Sequence, residues 1–195
     1  MRVDRLSRIF VVIFCLASFL GNLFAWHLRD TTQQVAALLY AGSAIGAALS
    51  GDLISLFFYW EGTALASVFL IWARGTEGAY HTGMRYLIVQ IGSGVILIAG
   101  VAVFYRETGI VSFDQMTLAS LGTWLIFISF GIKCAFPLMH NWLQDSYPAA
   151  TVTGAVILSA FTTKMAIYAL ARGFAGTEIL IYIGTIMTLF PIFFA

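Results

Sequence analysis

Residues 117–145 read TLASLGTWLIFISFGIKCAFPLMHNWLQD. The run from Thr117 to His140 is apolar and long enough to cross about 30 Å of hydrocarbon as a helix, which takes roughly 18 residues or more. Yet it carries Lys133 at depth and Pro137 one helical turn further on, and a polar stripe of His140, Asn141, Gln144 and Asp145 follows. In an α-helix the N–H of residue 137 would bond the carbonyl of residue 133, and proline has no N–H to give. The carbonyl left over is that of the lysine itself. A break at such depth is tolerated only where it faces protein or a water-filled cavity, and broken membrane helices commonly line transport sites. The plainer alternative is a packing kink. The coincidence of a freed carbonyl with a buried lysine favours the first reading.

The rest of the chain has the same character. Its 195 residues are 61% hydrophobic and 10% charged, with a mean hydropathy of +0.93, which excludes an ordinary soluble domain. Apolar runs at about 9–28, 34–50, 53–73, 84–105, 117–140, 151–172 and 178–195 predict an all-α integral membrane fold. It is a single bundle over residues 1–195 with about seven transmembrane helices, one of them broken around Lys133-Pro137. The runs lack the alternation of barrel strands, and a helix satisfies its own backbone in lipid. Gly51-Asp52 separates two runs that are jointly too long for one crossing, so it predicts a tight hairpin. GSAIG at Gly42 to Gly46 and GSG at Gly92 to Gly94 are the kind of small-residue clusters that let helix backbones approach.

Arg2, Arg5 and Arg8 ahead of Ile9 to Trp26 raise the alternative of a signal peptide. The run is too long and lacks a small-x-small cleavage site. Counting cations by loop sets the N-terminal arginines with Arg106 against Arg29, Arg74 and Arg85, which tilts toward a cytoplasmic N-terminus and leaves the direction open. Cys15 and Cys134 lie in apolar segments, so no disulfide framework is implied.

Charge placement carries the functional signal, because an ionisable group near the bilayer centre costs at least about 2.5–3.5 kcal/mol. Arg29, Asp30, Asp52, Arg74, Arg85, Arg106, Arg172 and Glu178 flank segment ends, where side chains snorkel to the interface. Glu61, Lys133 and Lys164 do not; each lies roughly 10 Å or more from either end of its segment at about 1.5 Å per residue. Lys133 and Lys164 are the only two lysines in the chain. A buried lysine can lose and regain its proton, which arginine does not. A carboxylate such as Glu61 near a lysine holds the proton on, and releases it when moved or neutralised. The alternative is a static ion pair that fixes helix register. Two buried cations against one buried anion leave a charge that static pairing does not explain.

Histidine is the side chain suited to exchanging protons at physiological pH, so His140 suits passage of protons between bulk water and Lys133; an interfacial histidine bonded to a loop carbonyl explains it equally well. His140 with Asp145 lacks a third ligand for a metal. Gln90 with Ser93, and Thr162 and Thr163 beside Lys164, either hold water along a path or bond a preceding carbonyl, the commoner case.

FYWEGTALAS at 58–67 and GIKCAFPLMHNWLQDSYPAATVTGAVILSAFTTKMAIYALAR at 131–172 closely resemble the antiporter-like membrane subunits shared by Mrp-type sodium/proton antiporters and respiratory complex I, nearest to the Mrp D-type branch. The resemblance covers essentially the whole chain. In that family the glutamate matching Glu61 pairs with the lysine matching Lys133 on a broken helix. The lysine matching Lys164 lies further along a central hydrophilic axis and hands protons toward the other half of the subunit. Pro137 falls one residue earlier than in many relatives, and Gln144 stands where a second proline follows Trp-Leu. Family members contain two inverted repeats, and this chain is similar to the first, so the resemblance implies a truncated or split member.

The resemblance implies proton or cation/proton translocation through a half-channel of Glu61, Lys133 and Lys164, with His140, Gln90 and Thr163 as path-lining residues. It implies other membrane subunits of an Mrp-like or complex I-like assembly as partners, protons and sodium as cargo, and the bacterial inner membrane as location. No enzyme site, cofactor, metal or nucleic acid is implied. The rival is a non-pumping structural subunit that scaffolds a larger complex.

Overall fold

The computed structural model describes residues 1–194. Among them α1 runs Arg5–Phe24 and passes into a 3-10 turn at Ala25–His27; α2 is Thr31–Ala48, α3 Leu53–Trp72, α4 Glu77–Thr108, α5 Leu121–Cys134, α6 Asn141–Ala149, α7 Val152–Gly173 and α8 Ile179–Phe194. The last expected segment, 178–195, is thus helical over Ile179–Phe194, and Ala195 lies outside the described residues.

Six of these helices begin on a side-chain cap. Asp4, Asp30, Asp52, Thr76, Ser120 and Thr151 each accept a backbone N–H from the first turn they precede, satisfying donors that the helix itself leaves open. Asp30 and Asp52, expected to snorkel, are therefore caps. Gly51-Asp52 does form the hairpin turn, between the end of α2 and the start of α3.

Lengths depart from the expected pattern. Four helices are long and apolar enough by themselves to cross a membrane: α1 with its 3-10 turn, α3, α4 and α7. The 32 residues of α4 span about 48 Å, well past the 84–105 segment. The 14 residues of α5 span about 21 Å, too short for a full crossing. Of the seven expected segments, one of them broken, four coincide with these long helices among the described residues, and the broken one is the short α5.

Helix α3 packs on α2, α4 and α7, and α7 on α1, α2 and α5. The interior between them holds Trp60 against Phe130 at 5.1 Å between ring centres, Tyr40 against Phe161 at 5.2 Å and Phe127 against Phe174 at 5.1 Å. The outward face of α1 exposes Ile9, Val12, Leu16, Phe19 and Leu20, while Thr63, Ser67, Gln90, Ser93, Ser129, Lys133 and Thr162 are buried. That polarity is inverted relative to a water-soluble bundle and suits a lipid surround. Backbones of α4 and α5 approach closely: a Cβ on Gly122 would lie 2.6 Å from the Phe104 nitrogen, and one on Gly100 2.9 Å from the Ile126 nitrogen.

On one membrane face the α2–α3 turn pairs with the α4–α5 loop, Leu53 N–H donating to the Val111 carbonyl at 2.9 Å and Phe113 N–H to the Gly51 carbonyl at 3.0 Å. Arg172, expected to snorkel, is instead buried there at 7% exposure. It donates to Asp4 Oδ1 at 2.8 Å and to the Tyr168 hydroxyl at 2.8 Å, tying α7 to the start of α1. On the opposite face Arg74 donates to the carbonyls of Pro148 and Ala150, and Arg85 pairs with Asp145 at 3.8 Å.

Candidate functional site

The break around Pro137 is a termination, not a kink. Ala135 adopts the left-handed conformation at φ 63°, Phe136 N–H donates to the Gly131 carbonyl at 2.9 Å and Ala135 N–H to the Ile132 carbonyl at 3.1 Å. This is the Schellman closure of a helix C-terminus, after which proline is commonly found. The Phe136 ring folds back over Gly131, where a Cβ would overlap it. Pro137 and Leu138, the latter at φ 70°, then form a turn closed by Met139 N–H on the Phe136 carbonyl at 2.8 Å. Trp142 of α6 donates through Nε1 to the Ile132 carbonyl at 2.9 Å. Pro137, lying beyond the end of the helix, has no N–H to offer the Lys133 carbonyl.

Lys133 is fully buried in the last turn of α5. Its Nζ donates to the Trp60 carbonyl at 2.7 Å and to Thr63 Oγ1 at 3.0 Å, and lies 4.4 Å from the centre of the Trp60 ring. The Trp60 ring is held in turn, Nε1 donating to Ser93 Oγ at 3.1 Å, while Ser129 Oγ donates to the Ser93 carbonyl at 2.7 Å. One lysine of α5 is therefore seated on α3, and Ser93 of α4 braces the seat. An ammonium over an aromatic face with neutral oxygens around it is a stable arrangement at low dielectric.

Glu61 is half-buried one residue along from Trp60. It makes no ion pair with Lys133 within 4.0 Å, although the two charges are within electrostatic reach. Its Oε1 is buried without a hydrogen-bond partner among the described residues. The direct pair implied by the resemblance is open in this structure. Gln90 is fully buried, and neither its Oε1 nor its Nε2 has a hydrogen-bond partner among the described residues. It lies about one turn from Ser93 on the same face of α4, and Lys133 one turn from Ser129 on antiparallel α5. The Ser129–Ser93 bond thus sets Gln90 at the level of Lys133.

The second lysine is placed differently from expectation. Lys164 is exposed on α7, not buried, and donates to the Ser159 carbonyl at 2.6 Å; it remains within electrostatic reach of Cys134, the neighbour of Lys133. Thr163 is half-buried, whereas Thr162 faces inward and hydrogen-bonds the Tyr40 hydroxyl. His140 is half-buried at the N-cap of α6, and its carbonyl accepts Leu143 N–H at 2.9 Å.

With this geometry in place, residues 50–194 match the family described as NADH:quinone oxidoreductase/Mrp antiporter, transmembrane. The chain belongs to that family. It is similar to NADH-quinone oxidoreductase subunit M of Pseudomonas aeruginosa, 28% identical over 192 residues that cover 87% of this chain and 38% of that protein. It is also similar to the D-type subunit of the Na(+)/H(+) antiporter of Alkalihalophilus pseudofirmus, 28% identical over 162 residues that cover 73% of this chain and 33% of the relative. Among solved structures, the Mrp complex from Dietzia contains a chain that superposes with a TM-score of 0.78 at 26% identity, over 94% of this chain and 38% of that one. The chain spans well under half the length of these relatives. It is an integral membrane protein of antiporter-like fold.

Within this antiporter-family chain, sequence reasoning missed Trp60, Thr63, Ser93 and Ser129 as the seat of Lys133. One signal was available. Trp60 directly precedes the deep carboxylate in FYWEGT, and Thr63 follows Trp60 by three residues, the spacing that stacks side chains on one helix face.

Proposed function

We propose that this chain forms the proton-carrying half-channel of a cation/proton antiporter-like membrane subunit. Lys133 carries the proton, Glu61 sets how firmly it is held, and Lys164 receives it; His140, Gln90 and Thr163 line the path. The observation that carries the reading is a buried ammonium seated on neutral groups, with a half-buried carboxylate in the same region that makes no ion pair with it. A static pair would be closed, since two charges in contact at low dielectric gain several kcal/mol. An open pair supports a lysine whose charge state is adjustable. The chain would act without reaction chemistry of its own, among other membrane subunits of an Mrp-like or complex I-like assembly in a bacterial inner membrane.

Lys133→Ala or Glu61→Gln, made in the assembled complex and assayed in proteoliposomes, is expected to lower proton or sodium transport while assembly stays intact. Unchanged transport in both variants would sink the proposal. One observation favours a structural subunit: Lys133 is bonded to α3 by two oxygens and one aromatic face, so it also ties α5 to α3. On that reading the same substitutions weaken assembly and leave any residual transport per complex unaltered.

A further inference from the structure

Gly94 lies on the buried face of α4, one turn beyond Gln90. The space a side chain would take there is filled by Glu61: the three atoms nearest to an added Cβ are its Oε1, Cδ and Cγ, the last at 3.4 Å. At Gly92, the other glycine of the Gly-Ser-Gly motif, an added Cβ would meet nothing within 4 Å. The motif is therefore asymmetric. One glycine is open, and the other is a receptacle for a carboxylate. Ser93 between them fixes the rotation of α4 by accepting from Trp60 Nε1 and, through its carbonyl, from Ser129 Oγ, so Gly94 cannot turn away from α3.

The buried Oε1 of Glu61 has no hydrogen-bond partner among the described residues to hold it. A buried polar atom left so calls for a specific reason, since desolvation is not offset by a bond. The reason offered by the geometry is steric. We infer that Gly94 is a positioning residue: its missing side chain lets the Glu61 carboxylate dock against α4, out of contact with Lys133, and so fixes where that carboxylate rests. The inference builds on the proposed function in taking Glu61 to act on Lys133. An alanine here displaces the far end of a flexible side chain and no backbone, so the bundle tolerates it and the carboxylate moves.

The test compares Gly94→Ala with Gly92→Ala in the assembled complex, each alone and with Glu61→Asp, whose carboxylate carbon falls at the Cγ position, 3.4 Å from the added Cβ, and can rotate its two oxygens aside. Gly94→Ala is expected to lower proton transport roughly tenfold to a hundredfold, the cost of misplacing a reacting group by about 1 Å, whereas Gly92→Ala is expected to stay near wild type. In the Glu61→Asp background Gly94→Ala should cost no more than about twofold, because the shorter carboxylate relieves the overlap by rotating. Independently of transport, the infrared carboxyl band that Glu61→Gln removes should change frequency in Gly94→Ala and not in Gly92→Ala. Equal behaviour of the two glycine variants in the infrared overturns the inference even if Glu61→Gln abolishes transport. If Glu61→Gln leaves transport intact while the band still shifts, the positioning role stands and the proposed function falls.

Discussion

Replacing Thr63 by valine keeps the shape of the side chain and removes one oxygen. That oxygen accepts from Lys133 Nζ at 3.0 Å and donates to the Trp60 carbonyl at 2.7 Å. Thr63 is only 2% exposed, so water does not take its place. A hydrogen bond to a charged group contributes about 1.5–3 kcal/mol, and a neutral one about 0.5–1.5 kcal/mol. Thr63→Val should therefore cost about 2–4.5 kcal/mol with Lys133 present. Once Lys133→Met has removed the ammonium, only the local hydroxyl-to-carbonyl bond is left, worth about 0.5–1.5 kcal/mol. The coupling energy is the difference, roughly 1.5–3 kcal/mol. It is measured by denaturant titration of wild type, both single variants and the double variant in detergent. Additivity within about 0.5 kcal/mol would refute the reasoning, because Lys133 would then owe nothing to α3 at this contact.

Three further outcomes are expected. Asp4 is held down to about 2 from 3.8, chiefly by the Ser7 N–H, with Arg172 adding to it; a carboxyl depressed on folding contributes stability that is whole above pH 3.8 and is lost as pH falls through about 2. The side chain is 34% exposed, so after screening the effect is about 1 kcal/mol; Asp4→Asn should lower the melting temperature at pH 7 and flatten the acid limb of a melting-temperature profile. Ala135→Gly should stabilise by about 1 kcal/mol, because an L-residue at φ 63° is held where glycine carries no Cβ penalty; a drop in melting temperature would contradict the Schellman assignment. Gly122→Ala should destabilise by about 1–3 kcal/mol, since its Cβ would lie 2.6 Å from the Phe104 nitrogen and backbone cannot step aside; thermal unfolding beside Gly92→Ala provides the comparison.

Much of the fold was legible because it rests on bulk properties and punctuation. Apolar runs announced a helical membrane bundle, Gly51-Asp52 announced a turn, and Lys133 stood out as a charge no lipid-facing position would carry. Helix ends were less legible, though their signals were present: Asp30 and Asp52 are cap residues by type, and only their reading as interface charges hid it. Pro137 located the end of α5 to within a turn but not its form, because the Schellman closure depends on Ala135 adopting a left-handed conformation that alanine does not advertise. Tertiary placement was hidden for a different reason. Arg172 lies at a segment end, as an interfacial arginine would, and only the return of α1 across that face buries it against Asp4 and Tyr168. Whether Gly94 meets backbone or a carboxylate depends on the rotation of α4, set by Ser93, which no periodicity of one helix reveals.

The early end of α5 has an electrostatic consequence. Peptide dipoles aligned along a helix leave about half a negative charge at its C-terminus, and here that terminus falls at Cys134, one residue past Lys133. The helix that presents the ammonium thus also supplies part of its counter-charge, worth about 0.3–2 kcal/mol depending on burial. That fraction neither titrates nor moves. With a fixed partial anion built into the backbone, the Glu61 carboxylate need not be a permanent companion of the lysine, and the bundle can keep it at a distance without leaving Lys133 wholly uncompensated.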